Sequence, residues 1–150
     1  MVREKDKAYP LSDLGPLLAM EPEAAYYTPE RSVRISRSGI TTSFVEDLMQ
    51  KYAFSKADLA RLIDVSHKTI DRHMAAGKLF TGLQAERLLR LAELYAQGVR
   101  VFGKGEKFIK WLNSTIVALD HTTPMSWLDT YHGIQLISDE LGRIEHGIFA

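Results

Sequence analysis

Apolar residues recur at helical spacing through most of the chain and are interrupted by cap and turn residues, so the pattern predicts a succession of short helices. The clearest piece is SKADLARLIDVSHKTIDR, residues 55–72. Ser55, with Asp58 three residues on, caps a first helix whose apolar face is Leu59, Leu62 and Ile63. Asp64 falls where the turn needs a left-handed backbone, a conformation Asp tolerates better than most residues. Val65 plugs the turn and Ser66 caps a second helix, which sends Ile70 and Met74 inward and keeps His67, Lys68, Asp71 and Arg72 on the other face until Gly77 ends it. This is a helix-turn-helix pattern. A basic second helix laid in a major groove offers its first side chains to base edges and its cations to phosphates, so the expected DNA-binding residues are Ser66, His67, Lys68, Thr69, Asp71 and Arg72.

The same periodicity places the other elements. Thr42 or Ser43 opens a helix reaching about Tyr52, with Ser43 and Glu46 spaced as a capping box and Phe44, Leu48 and Tyr52 on its apolar stripe. Thr81 and Gln84 open a long helix that Gly98 is expected to stop; Leu88, Leu91, Ala92 and Tyr95 face inward, and Glu86, Arg87 and Arg90 face out. A helix from Glu106 to Asn113 buries Phe108, Ile109, Trp111 and Leu112. Thr123 and Pro124 start a helix that buries Trp127 and Leu128 and ends at Gly133, and a last one from about Gln135 to His146 turns Leu136, Ile137, Leu141 and Ile144 inward. At the front, four prolines (Pro10, Pro16, Pro22, Pro29) predict an irregular arm with one short helix around Leu14 to Met20. Ser32 to Ser38 alternates like a strand without a partner in the chain.

Composition narrows the reading. With 45% hydrophobic and 25% charged residues among 150, the chain can build an ordinary core, and without cysteine it has neither disulfides nor a thiolate metal site. The charged, proline-broken start and the lack of a long apolar run point to a cytoplasmic protein with no membrane partner. Net charge is zero, but unevenly spread: Arg31, Arg34 and Arg37 stand together without an acid, whereas Asp120, Asp129, Asp139, Glu140 and Glu145 face Arg143 alone in the last stretch. A basic front and an acidic back suggest two different partners. The five histidines follow no metal-ligand spacing, and there is no nucleophile elbow or phosphate loop, so no catalytic residue, metal site or cofactor is expected and the protein is not read as an enzyme.

From about Phe54 onward the string also carries likeness. GLQAERLLRLAELYAQGVRVFG, EKFIKWLN and TTPMSWLDTYHGIQLISDELGRIEHGIFA resemble, in order, the C-terminal region of the Xre/MbcA/ParS antitoxins, which are encoded beside toxins of the RES family in type II toxin-antitoxin systems. The resemblance implies an all-α protein in two parts. An N-terminal Xre-like helix-turn-helix domain would dimerise and bind the operator of its own operon; a small helical domain behind it would neutralise a RES toxin, an enzyme that destroys NAD. The expected division is an arm over 1–38, the helix-turn-helix domain over 39–90 and the toxin-binding domain over 91–150. The family's C-terminal end lies near the toxin's active-site opening, which carries over to Arg143, Glu145, His146, Gly147, Ile148, Phe149 and Ala150, with Trp127 and Tyr131 as further contacts. His121-Thr122 and His67-Lys68 depart from the family's glycine-rich turn and its basic pair in the recognition helix. The alternative is a stand-alone repressor whose C-terminal half senses a ligand or dimerises. The acidic, aromatic C-terminus, which DNA binding does not need, separates the two.

Overall fold

A single helix of 21 residues carries most of the packing. In the computed structural model, which describes residues 29–147, that helix, α5 (Gly82–Phe102), follows α1 (Pro29–Ser38), α2 (Thr42–Tyr52), α3 (Lys56–Ile63) and α4 (His67–Ala76). It precedes α6 (Gly105–Leu112), two 3-10 turns (Val117–Leu119 and Pro124–Trp127) and α7 (Tyr131–Glu145). Helices α1, α6 and α7 all pack mainly on α5. No strand forms among the described residues, only two isolated bridges, Ile40 with Phe80 and Ile116 with Thr122. The class is therefore all-α. No helix among those residues is long and apolar enough to cross a membrane.

One core runs through both halves. Phe44, Leu48 and Tyr52 of α2, Leu59 and Leu62 of α3 and Ile70 of α4 are buried in the same cluster as Leu88, Leu91 and Ala92 of α5, Phe108 of α6 and Ile137 and Leu141 of α7. Tyr52 ties them together. Its ring stacks on Phe54 at 4.4 Å and meets Tyr95 and Phe108 edge-on, and its hydroxyl donates to the Leu91 carbonyl at 2.6 Å. Burial raises the Tyr52 phenol well above its usual range, so it stays a protonated donor.

Five local expectations need correction. Residues 32–38 are not a strand but most of α1: Pro29 sits at its start, Glu30 and Arg37 complement the helix dipole, and Gly39 N–H closes it on the Ile35 carbonyl. A helix satisfies its own backbone groups, which a strand without a neighbour cannot do. Ile35 alone is buried against the core, and Val33 remains outside. Second, α2 is capped by Thr41, whose side chain accepts from Phe44 N–H, so the pair Ser43 and Glu46 lies inside the helix.

Two further corrections concern glycines read as helix ends, and a third the segment just before α7. Gly98 lies inside α5, which runs on to Phe102 and stops at Gly103. A Cβ at Gly98 would fall into the Phe108 ring, so this glycine serves the close approach of α6. Gly133 is likewise internal: a Cβ there would overlap the Trp127 carbonyl oxygen, and the Thr130 side chain caps α7 by accepting from Gly133 N–H at 2.9 Å. The segment begun by Thr123 and Pro124 is a single 3-10 turn ending at Trp127, and α7 starts at Tyr131 rather than Gln135. The arm ahead of Pro29, with its expected helix at Leu14 to Met20, lies outside the described residues, as do Ile148, Phe149 and Ala150.

Candidate nucleic-acid and partner-binding surfaces

The helix-turn-helix is built by its polar side chains. Ser55 accepts from Asp58 N–H at 3.0 Å while Asp58 Oδ2 accepts from Ser55 N–H at 2.9 Å, a reciprocal cap on α3. Asp64 takes φ 55°, the left-handed conformation anticipated for it, and its N–H bonds the Ala60 carbonyl. Ser66 then caps α4 by accepting from Thr69 N–H at 3.1 Å. Gly77 ends α4 with φ 62°.

On the outer face of α4, His67, Lys68, Asp71 and Arg72 are exposed side by side, with Thr69 half-buried behind them. They are not equally available. Ser66 Oγ and Thr69 Oγ1 share a hydrogen bond at 2.9 Å, and Arg72 reaches the same Thr69 oxygen at 3.3 Å. Asp71 receives Lys56 at 2.8 Å; that hydrogen bond, with the nearby charges of Lys56 and His67, holds the Asp71 carboxyl below its usual range. The acid that would oppose phosphate is thereby neutralised by a lysine of α3.

Two residues here were not anticipated. His73, three positions after Ile70 on the same face, is buried, its ring 4.4 Å from that of Phe80. Burial, then the charge of Lys78, lowers its pKa despite a hydrogen bond with the Lys78 backbone. Arg87, expected to face out, donates from one guanidinium nitrogen to the Leu62 carbonyl at 3.2 Å and to the Asp129 carbonyl at 2.8 Å. It joins the end of α3 to the segment before α7, and Arg61 stands 3.9 Å from the Asp129 carboxylate beside it. An arginine at helical spacing carries no sign of this in the sequence, because its partners are backbone carbonyls.

The C-terminal surface is stitched by internal contacts. Trp127 is half-buried and its indole N–H donates to Thr122 Oγ1 at 2.7 Å. Tyr131 is 55% exposed, with the Arg90 guanidinium 4.2 Å above its ring. Arg143 grips Glu140 through two nitrogens at 2.9 and 2.6 Å, and Glu145 pairs with Arg100 of α5 at 3.2 Å. Gln97 and Ser138 exchange two hydrogen bonds, at 3.0 and 2.7 Å, which pin α7 to α5. His146 is exposed and Gly147 takes φ 69°. The acidic end is thus less bare than its formal charge: Glu140, Glu145 and Asp129 each have an arginine. Among the described residues no cluster of His, Asp and Glu could hold a metal ion.

Both surfaces coincide with known family segments. Residues 32–93 match the antitoxin Xre-like helix-turn-helix domain, and residues 97–147 match the antitoxin Xre/MbcA/ParS C-terminal toxin-binding domain. Two relatives, each called Antitoxin Xre, are similar: one from Photorhabdus laumondii is 29% identical over 115 residues, covering 76% of this chain and 78% of the relative. The other, from Yersinia enterocolitica, is 28% identical over 116 residues with the same shares covered. With its two family segments in order and its all-helical architecture, the chain belongs to the Xre family of antitoxins.

Proposed function

We propose that this antitoxin neutralises a RES-family, NAD-degrading toxin by covering its active site with the end of α7 and the residues beyond, and that it represses its own operon through α4 as a homodimer within a larger complex. What carries this reading is the division of the chain, a helix-turn-helix segment over 32–93 and a toxin-binding segment over 97–147. The resemblance of the GLQAERLLRL, EKFIKWLN and LGRIEHG pieces to antitoxins encoded beside RES toxins supplies the class of toxin.

The chemistry agrees with each role. On α4, Lys68 and Arg72 are the cations for phosphate or guanine, and His67 and Thr69 the flanking donors, while Ser66 caps the helix and Asp71 ties it to Lys56 of α3. At the other end, Trp127 and Tyr131 supply half-buried and exposed aromatic surface, and Arg143, Glu145 and His146 lead into Gly147, Ile148, Phe149 and Ala150. A pocket that binds the NAD pyrophosphate needs cations, so a carboxylate-bearing end with an apolar anchor is complementary to it. No cofactor is involved on the antitoxin's side. Deleting the final four residues and measuring NAD consumption by the co-expressed toxin tests the reading. Restored consumption is expected, whereas full inhibition by the shortened chain would reject the plug.

A further inference from the structure

Helices α1 and α5 enclose a groove of about 850 Å³, and it meets the proposed toxin-binding surface only at its border, where Arg90 lies over Tyr131 and Arg100 pairs with Glu145. Its apolar lining includes Leu89, and two large side chains stand open in it, Val33 at 47% and Leu83 at 76% exposure. Arginines outnumber acids around it: Arg37, Arg90 and Arg100 against Glu86 and Glu93. Glu93 is turned toward Ser32 at 3.4 Å, and burial raises its carboxyl above the usual range despite the charge of Arg90. An apolar trough bordered by guanidinium groups suits an acidic, leucine-rich peptide.

Such a peptide lies in the same chain, and the groove's own wall leads to it. Pro29 lines the groove, so the polypeptide ahead of it departs from that point. Residues 11–23, LSDLGPLLAMEPE, carry Leu11, Leu14, Leu17, Leu18 and Met20 with Asp13, Glu21 and Glu23, and no Lys or Arg occurs from Ala8 to Glu30. The span of α5 from Gly82 to Arg100 rises about 27 Å. Thirteen residues cover about 20 Å as a helix, which is most of that span, and over 40 Å extended, which is more than all of it. Tethering adds the rest, because a peptide joined through five residues is presented at millimolar effective concentration, far above a free chain at working dilution.

We propose that residues 11–23 occupy the α1–α5 groove of their own chain, leucines against Val33, Leu83 and Leu89 and carboxylates against Arg37, Arg90 and Arg100. The native sequence has no cysteine, so disulfide trapping in the full-length chain is free of background. In the variant Leu17→Cys with Leu83→Cys, mild oxidation is expected to give an intrachain disulfide about tenfold faster than in a reference carrying Leu17→Cys with Lys110→Cys, where Lys110 is exposed outside the groove. A tenfold preference requires only about 1.4 kcal/mol of docking free energy. Equal rates overturn the proposal, and so does a disulfide that forms only between chains, which would make the groove a contact between two copies. Adding Leu14→Asp and Leu18→Asp should bring the first rate down to the reference; an unchanged rate also overturns it. None of these positions lies in the described core, and circular dichroism confirms that the helical content of each variant is kept.

Discussion

The two surfaces differ in where their polar side chains spend their hydrogen bonds. Around α4, capping falls to Ser55, Asp58 and Ser66, and Lys56 neutralises Asp71, so Lys68 and His67 stand clear of the fold. Around α7 almost every polar group nominated for contact is engaged at home: Trp127 with Thr122, Tyr131 under Arg90, Arg143 with Glu140 and Glu145 with Arg100. On the proposed reading, the first surface would meet a rigid, repetitive polyanion with its side chains already placed. The second would have to exchange internal partners for external ones, which suits a protein ligand that brings its own charges and lowers the net gain per contact.

The strongest test of that contrast is Gly133→Ala. Its new methyl would overlap the Trp127 carbonyl, a backbone atom held by the turn before α7, so a loss of about 3 kcal/mol is expected in a chemical melt, with toxin neutralisation reduced and operator binding retained in the cold. Arg72→Ala should do the reverse. It removes an exposed cation of α4 and should weaken operator binding roughly tenfold to hundredfold and lower the salt slope by about one, leaving toxin inhibition intact in the NAD assay.

Arg87→Met blurs the two regions instead of separating them. It strands the Leu62 and Asp129 carbonyls and should cost about 1 kcal/mol, with both activities falling together in parallel titrations of DNA and toxin. The smallest effect is expected at His73. Burial lowers its pKa in the fold, so the stability it contributes is complete above the unfolded value of about 6.5 and is lost as pH falls through the lower folded value. His73→Phe should therefore flatten the dependence of Tm on pH between about pH 7 and pH 5, and a slope equal to that of the parent would assign the effect elsewhere.

Much of the helix-turn-helix was legible because its determinants are local. A cap such as Ser55 with Asp58, the left-handed Asp64 and the terminal Gly77 each act within four residues, and the structure has all of them. Gly98 and Gly133 were misread for a physical reason: a glycine that ends a helix and one that admits a neighbour look alike in a string, and only the position of Phe108 or Trp127 tells them apart. The strand pattern of residues 32–38 failed similarly, since Val33 and Ile35 alternate but only Ile35 finds the core. His121 is a mixed case. The resemblance implies a glycine-rich turn there, and the structure gives it φ 58° beside Asp120 at φ 56°, the left-handed backbone that glycine adopts most easily. Arg87 was not legible, because neither of its acceptors is a side chain.

Helix α5 passes without a break from the segment that packs on α3 to the segment that packs on α7. The two halves are therefore geared to one shaft, and their angular phase is a property of residue number. One residue inserted between them would turn the far face by about 100° about the helix axis, whereas an insertion of seven would restore the phase to within about 20° and lengthen the shaft by about 10 Å. Whatever the C-terminal half grasps is consequently carried at a defined azimuth to the recognition helix.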